Sequence, residues 1–154
     1  MVKTNAMRIL DKQGVPYTPH TYKSGKALSA VEVAKALGRA PGQIFKTLVT
    51  AGRSGQHYVF VIPGSGELDL RKAASASGEK SIDLIPSREL FPLTGYVHGG
   101  CSPLGMKKRF PSFVDDTARS WGTIIISAGK IGLQIELSLD DLEKVLECQI
   151  NSLI

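Results

Sequence analysis

Ala30, Val33, Ala34 and Leu37 recur at the i, i+3, i+4, i+7 spacing of a single helix face, and Ser29 with Glu32 forms a capping box ahead of them. The pattern predicts a helix ending at Gly38. A similar reading makes TNAMRILDKQG (residues 4–14) a helix with Thr4 as its N-cap and Gly14 as its stop. LDLRKAASASG (68–78) is predicted as a short helix stopped by Gly78, and IPSRELFPLTG (85–95) as one or two turns beginning at Ser87 and ended by Pro92. SLDDLEKVLE (138–147) reads as a helix capped by Ser138 with Leu139, Leu142 and Leu146 on one face.

Between these lie β-branched and aromatic runs. IFKTLVTA (44–51) and HYVFVIPG (57–64) are separated by GRSGQ, whose glycines and length suit a hairpin. YTPHTYK (17–23), PSFVDD (111–116), GTIIISAG (122–129) and GLQIELS (132–138) also read as extended. Short strands mixed irregularly with short helices do not give the regular alternation of a doubly wound parallel fold. The expectation is an α+β chain: a curved, mostly antiparallel (mixed) sheet or partial barrel, surrounded by short helices. Its 154 residues are taken as one domain.

One position breaks the apolar pattern. In QIFKTLVT (43–50), Lys46 points to the same face as Ile44 and Leu48 if the chain is extended throughout. A lysine there either reaches water along its stem or sits in a pocket and does chemistry. Periodicity leaves both open.

Composition narrows the class. Apolar content of 42% with 21% charged residues excludes a disordered chain, and the apolar runs are too short to span a bilayer as helices. The opening residues carry charges and no apolar core of a secretory signal, so a cytoplasmic location is expected. The net charge of +5 and the isoelectric point near 9.3 suit a polyanionic partner such as RNA. Cys101 and Cys148, with His20, His57 and His98, have neither the number nor the spacing of a metal site, so neither metal nor cofactor is expected. His20 and His57 are expected to be structural or exposed, and Trp121 to pack.

GYVHGGCSPLGMKKRF (95–110) is the densest stretch of candidate chemistry. Gly99 and Gly100 let the backbone approach a ligand, and Pro103 and Gly105 fix a turn, so consecutive N–H groups can be aimed at a developing oxyanion. Lys107, Lys108 and Arg109 follow as a patch fit to meet phosphates. The same residues also describe a glycine-rich turn beside a solvated charge run. Cys101 invites a nucleophile reading, with His98 as its base, against the reading of a buried, inert thiol. SAGKIGLQIEL (127–137) holds a second glycine-rich turn, with Ser127 at a strand end as a ligand-orienting or turn-capping hydroxyl and Lys130 on a cationic rim.

KTNAMRILDKQGVPY, QIFKTLVT, GELDLRKAA, GYVHGGCSPLGMKK and SAGKIGLQIEL occur together in this order, and on these motifs the chain resembles the YbaK/EbsC family, related to the inserted editing domain of bacterial prolyl-tRNA synthetases. The resemblance implies a free-standing, cytoplasmic editing enzyme that removes cysteine from Cys-tRNA(Pro), and from Cys-tRNA(Cys) as a second substrate. Editing is needed because a synthetic pocket cannot reject a similar small side chain strongly enough. The implied mechanism is attack of the substrate's own thiol on the ester carbonyl, expelling the tRNA hydroxyl through a cyclic thiolactone.

In that mechanism Lys46 anchors or polarises groups at the ester, and the N–H groups of Gly100 and Cys101 receive the oxyanion. Tyr22, Thr47, Ser127, Gly129 and Gln134 are implied to hold the aminoacyl group. Lys107, Lys108, Arg109 and Lys130 would meet the tRNA. The implied partners are an aminoacyl-tRNA and a transient complex of prolyl-tRNA synthetase with tRNA, with no membrane. Relatives often carry an acidic residue at Gln134 and an aromatic one near Leu28 and Ser29. The competing readings are a deacylase for another misacylated tRNA such as Ala-tRNA(Pro), a non-catalytic module that docks tRNA or a synthetase, and a hydrolase using Cys101.

Overall fold

The computed structural model describes residues 2–154. Helix α1 (Asn5–Lys12) is capped by Thr4, whose side chain accepts from the Met7 N–H, and buries Ala6, Met7 and Leu10. After β1 (Thr18–Thr21) comes α2 (Ala30–Leu37), with both halves of the Ser29–Glu32 capping box formed and Gly38 closing it in the left-handed conformation. The hairpin is β2 (Phe45–Gly52) against β3 (His57–Pro63). Next are α3 (Leu70–Ser77), β4 (Ile82–Leu84), α4 (Ser87–Thr94) and β5 (Ser112–Asp115). The chain ends with β6 (Ile124–Lys130), β7 (Leu133–Leu137), α5 (Leu139–Leu146) and β8 (Gln149–Asn151).

The strands form two sheets instead of one. A three-stranded antiparallel sheet has the order β1-β7-β6, and a five-stranded mixed sheet has the order β4-β2-β3-β5-β8, with β5 parallel to both β3 and β8. A single parallel bridge between Ile44 and Ile125 joins them. The short strands β4 and β8 are not legible as strands, because three residues are too few to show a period.

Pro92 does not end α4, which continues to Thr94. A proline removes only its own N–H. The carbonyls of the last turn are still met, Leu90 O by the Thr94 hydroxyl at 2.7 Å and Phe91 O by the Gly95 N–H at 2.8 Å.

The two sheets share one apolar core, in which Phe45, Val59 and Val61 meet Ile124, Ile126 and Ile135, and a polar cluster gathers beside it. Glu136 on β7 keeps 12% of its side chain exposed and accepts from both terminal nitrogens of Arg39 (2.8 and 3.0 Å), from His20 Nε2 (2.7 Å) and from the Thr123 hydroxyl. Gln43, in the 3-10 turn Pro41–Gln43, donates to the Thr123 carbonyl at 3.0 Å. Burial pulls the Glu136 pKa up, but the hydrogen bonds from Thr123, Arg39 and His20 and the Arg39 charge outweigh it and hold the carboxyl at about 2.

A carboxylate held below its ordinary value stabilises the fold above that value and loses the contribution as pH falls toward the folded pKa. With an ordinary value of 4.5 and a folded value of about 2, the contribution is roughly 3 kcal/mol, fully present above pH 4.5 and removed on descending to pH 2. Denaturant titrations at pH 7, 4 and 3 should show this loss in the native chain. Glu136→Gln should cost about 3 kcal/mol at pH 7, because it leaves Arg39 half-buried without its countercharge, and should flatten the acid dependence. Equal pH dependence in the two proteins would refute the assignment.

Candidate functional site

Lys46 stands at the seam between the two sheets. Register pairs Lys46 with Ile62 and Leu48 with Phe60, so Lys46 shares its face with the cluster of Phe60, Ile62 and Ala73 beneath α3. The expectation that Ile44 continues this face fails. Ile44 lies outside β2 and packs with Ile125, Val33 and Ala34 beneath α2. Lys46 is therefore half-buried between two apolar clusters, not inside one, and it makes no hydrogen bond or ion pair among the described residues.

The seam opens into a cavity of about 300 Å³. One wall is the first half of α2 with the residues before it (Leu28, Ser29, Ala30, Val33). A second is the start of β2, including Lys46 and Thr47, and a third is the sheet face carrying Ser127 and Gln134, which are cross-strand partners. Tyr22, Leu90, His98, Gly99 and Cys101 complete the lining. The approach of α2 is close: a side chain on Gly64, at the end of β3, would overlap Ala30.

One polar group in this wall is buried without a partner, and a second faces the cavity. Thr47 Oγ1 is inaccessible to solvent and makes no hydrogen bond among the described residues. Gln134 is 5% exposed, lines the cavity, and its amide makes no hydrogen bond among the described residues. Buried polar groups are normally satisfied, because an unmade hydrogen bond costs about 1–3 kcal/mol. An unpaired hydroxyl, amide and ammonium around one cavity mark a site built for a polar ligand.

The two glycine-rich loops are stitched together by Tyr96, which the sequence pattern did not single out. Its hydroxyl donates to the Leu104 carbonyl at 2.5 Å, and its ring lies where a side chain on Gly129 would stand. Gly129 has φ of 99° within the irregular register between Ser127 and Lys130, and its N–H donates to Ser127 Oγ at 3.1 Å. Gly129 thus positions Ser127 from outside the cavity lining. Gly99, with φ of 85°, lies so close to Ala27 that any side chain would collide with it.

The expected oxyanion donors separate. The Gly100 N–H donates to the Val97 carbonyl at 3.0 Å, whereas the Cys101 N–H has no internal acceptor among the described residues. The expected cationic patch separates too. Arg109 donates to the Leu146 carbonyl at 3.0 Å and pairs with Glu147 at 3.3 Å, which caps the C-terminus of α5. Lys107 lies 5.3 Å from the centroid of the Phe91 ring, and Lys108 lines a separate cavity between α1 and α5. Lys130 faces an open groove next to the first cavity. His98 lines the cavity but forms no hydrogen bond to Cys101, and His20 proves to be a partner of Glu136. No group of three metal-ligating side chains is found among the described residues, and no helix there is long and apolar enough to cross a membrane.

An α+β fold with a cation and unpaired polar groups around a small cavity is suited to binding or hydrolysing a polar ligand. The aminoacyl-tRNA editing domain model matches residues 25–145, and the chain belongs to that family. It is 50% identical over 137 residues to the Enterococcus faecalis protein EbsC, provisionally named a Cys-tRNA(Pro)/Cys-tRNA(Cys) deacylase, covering 88% of this chain and 84% of that one. It is 28% identical over 102 residues to a proline–tRNA ligase of Pelobacter propionicus, covering 66% of this chain and 18% of the ligase. A crystal structure described provisionally as a trans-editing enzyme for prolyl-tRNA synthetase superposes with a TM-score of 0.83 at 25% identity, covering 99% and 98% of the two chains. A hypothetical protein at 22% identity shares the fold with a TM-score of 0.88 over 97% of this chain and 99% of its own.

Burial pushes the Cys101 thiol up to about 12, and burial together with the Glu143 charge pushes Cys148 up to about 11. At pH 8 only about one Cys101 in ten thousand is then a thiolate. Iodoacetamide at pH 8 should leave both thiols unmodified in the native protein and label both in denaturant, as read by intact mass. Rapid labelling of Cys101 in the native protein would restore the nucleophile reading.

Proposed function

We propose that this chain, as one editing domain over residues 1–154, is a deacylase that removes cysteine from Cys-tRNA(Pro), and also from Cys-tRNA(Cys). The observation that carries the reading is Lys46, an unpaired cation at the mouth of a cavity of about 300 Å³ that offers no activated protein nucleophile. An ammonium half-removed from water and left without a counterion is costly, and an anionic ligand offsets that cost. The 50% identity to EbsC and the similarity to part of a proline–tRNA ligase point to the same substrate class.

The reaction needs little from the protein beyond placement. The substrate thiol attacks its own carbonyl carbon, a C–S bond forms, the ester C–O bond breaks, and the thiol proton leaves with the ribose hydroxyl; water then opens the thiolactone to free cysteine. Folding the side chain back onto its carbonyl makes the step intramolecular, where good orientation is worth several kcal/mol. Lys46 anchors the tRNA terminus and stabilises charge developing at the ester. The Cys101 N–H meets the oxyanion, a role that Gly100 cannot share while its N–H is held by Val97. Thr47, Ser127 and Gln134 hold the aminoacyl group, Gly129 sets Ser127, and Tyr22 closes the side of the cavity.

Association with prolyl-tRNA synthetase would supply the tRNA identity that so small a chain has little surface to read. Purified protein offered Cys-tRNA(Pro), Cys-tRNA(Cys) and Ala-tRNA(Pro) side by side should release cysteine from the first two and leave the alanyl ester intact. Lys46→Ala should lower the rate by a factor of 100 or more, the scale of losing one transition-state charge contact, while Cys101→Ala stays within a few-fold. Rapid alanine release would argue for a protein-supplied nucleophile or water, and normal turnover by Lys46→Ala would remove the reading altogether.

A further inference from the structure

A second opening continues from the cavity. Tyr22 lines the cavity with one part of its surface and, with the other, a wide groove of about 860 Å³. One bank of the groove is the segment after β1, with Lys23, Ser24 and Gly25; the other is the β6–β7 turn, with Lys130, Ile131 and Gly132. The banks are tied where the Tyr22 N–H donates to the Gly132 carbonyl at 3.1 Å. Gly132 lies so near that a Cβ would come 3.2 Å from the Tyr22 carbonyl. The turn is braced from behind by Gly100, whose Cβ would stand 3.1 Å from the Ile131 N–H nitrogen.

The charge on this groove is of one sign. Lys23 and Lys130 are exposed, neither forms an ion pair among the described residues, and the lining contains no carboxylate. Three cations elsewhere are engaged by other groups: Arg39 by Glu136, Arg109 by the end of α5, and Lys107 by the Phe91 ring. An unopposed pair of lysines flanking an open channel suits a chain of phosphates, which each ammonium meets with release of counterions.

We propose that this groove carries the phosphates of the unpaired 3′ end of the tRNA, with Lys23 and Lys130 on opposite banks and Tyr22 at the point where the terminal ribose turns into the cavity. The proposal rests on the deacylase reading for the identity of the nucleic acid. It also replaces the Lys107–Arg109 run as the principal phosphate contact, because Lys107 and Arg109 already serve α4 and α5 and Lys108 lines a separate cavity.

The test uses the full chain and the double variant Lys23→Ala/Lys130→Ala, compared with Lys107→Ala/Lys108→Ala. Binding of uncharged tRNA is followed by fluorescence anisotropy between 50 and 300 mM salt, and deacylation of Cys-tRNA(Pro) is measured in parallel. The groove variant should bind tRNA about tenfold more weakly, with a slope of log K against log salt shallower by about 1.4, the value for two single-strand phosphate contacts. Its loss in deacylation should fall on KM rather than on kcat. Weakened tRNA binding in a protein that hydrolyses none of the esters would uphold the groove and reject the deacylase reading. Unchanged affinity and slope in the groove variant, or a loss confined to the Lys107/Lys108 variant, would overturn the groove.

Discussion

Removing a carboxylate from water costs several kcal/mol, so Glu136 can stand largely buried on β7 only because donors from three other segments replace the solvent. His20 comes from β1, Arg39 from the end of α2, Thr123 from the approach to β6, and Gln43 joins through Thr123. Apart from β1, β6 and β7, which pair within the smaller sheet, these segments share no ladder. The two sheets are joined by the single bridge of Ile44 with Ile125 and by the apolar core they have in common. A saturated ionic cluster supplies direction that apolar contact lacks, because each donor has one acceptor lobe to meet.

The hold of this cluster on Arg39, and through Thr123 on Gln43, shapes the site. With α2 held at its C-terminal end by Arg39 and at its start by the close approach of Ala30 to Gly64, its first turn stands off from the sheet face bearing Ser127 and Gln134. The gap is the cavity. Lys46 lies at its edge because β2 leaves the seam one residue after Ile44, which separates the apolar cluster under α2 from the one under α3. A cation inside either cluster would be prohibitive; between them it keeps one side open to a ligand.

Much of this was legible in the amino-acid sequence, and the parts that were not share a cause. The capping box at Ser29, the β2–β3 hairpin and the leucine face of α5 are local patterns, and each is formed as the residues imply. The positions of Lys46, Ser127 and Gln134 as possible site residues could also be read, by anomaly or resemblance. The Glu136 cluster could not, since His20, Arg39 and Glu136 are separated by 97 and 116 residues and nothing local distinguishes them from surface charges. The Lys107–Arg109 run misleads for the opposite reason. Its sequence density suggests a patch, but successive side chains diverge: Lys107 lies over Phe91, Arg109 meets the end of α5, and Lys108 lines a separate cavity.

The unpaired groups of the cavity give the last constraint. Thr47 Oγ1 forgoes a hydrogen bond, a cost of about 1–3 kcal/mol that the native state bears, and the Gln134 amide beside it is left open to the cavity. That cost is tolerable because the surrounding frame is otherwise well satisfied, above all by Glu136. Gln134 is also neutral. A carboxylate at this position would place a negative charge in the cavity that Lys46 also lines, whereas an amide can donate and accept without adding one. The charge of Lys46 is therefore left undiminished for the ligand, and the carboxylate that this strand does carry, two residues further on, is spent entirely on holding the walls in place.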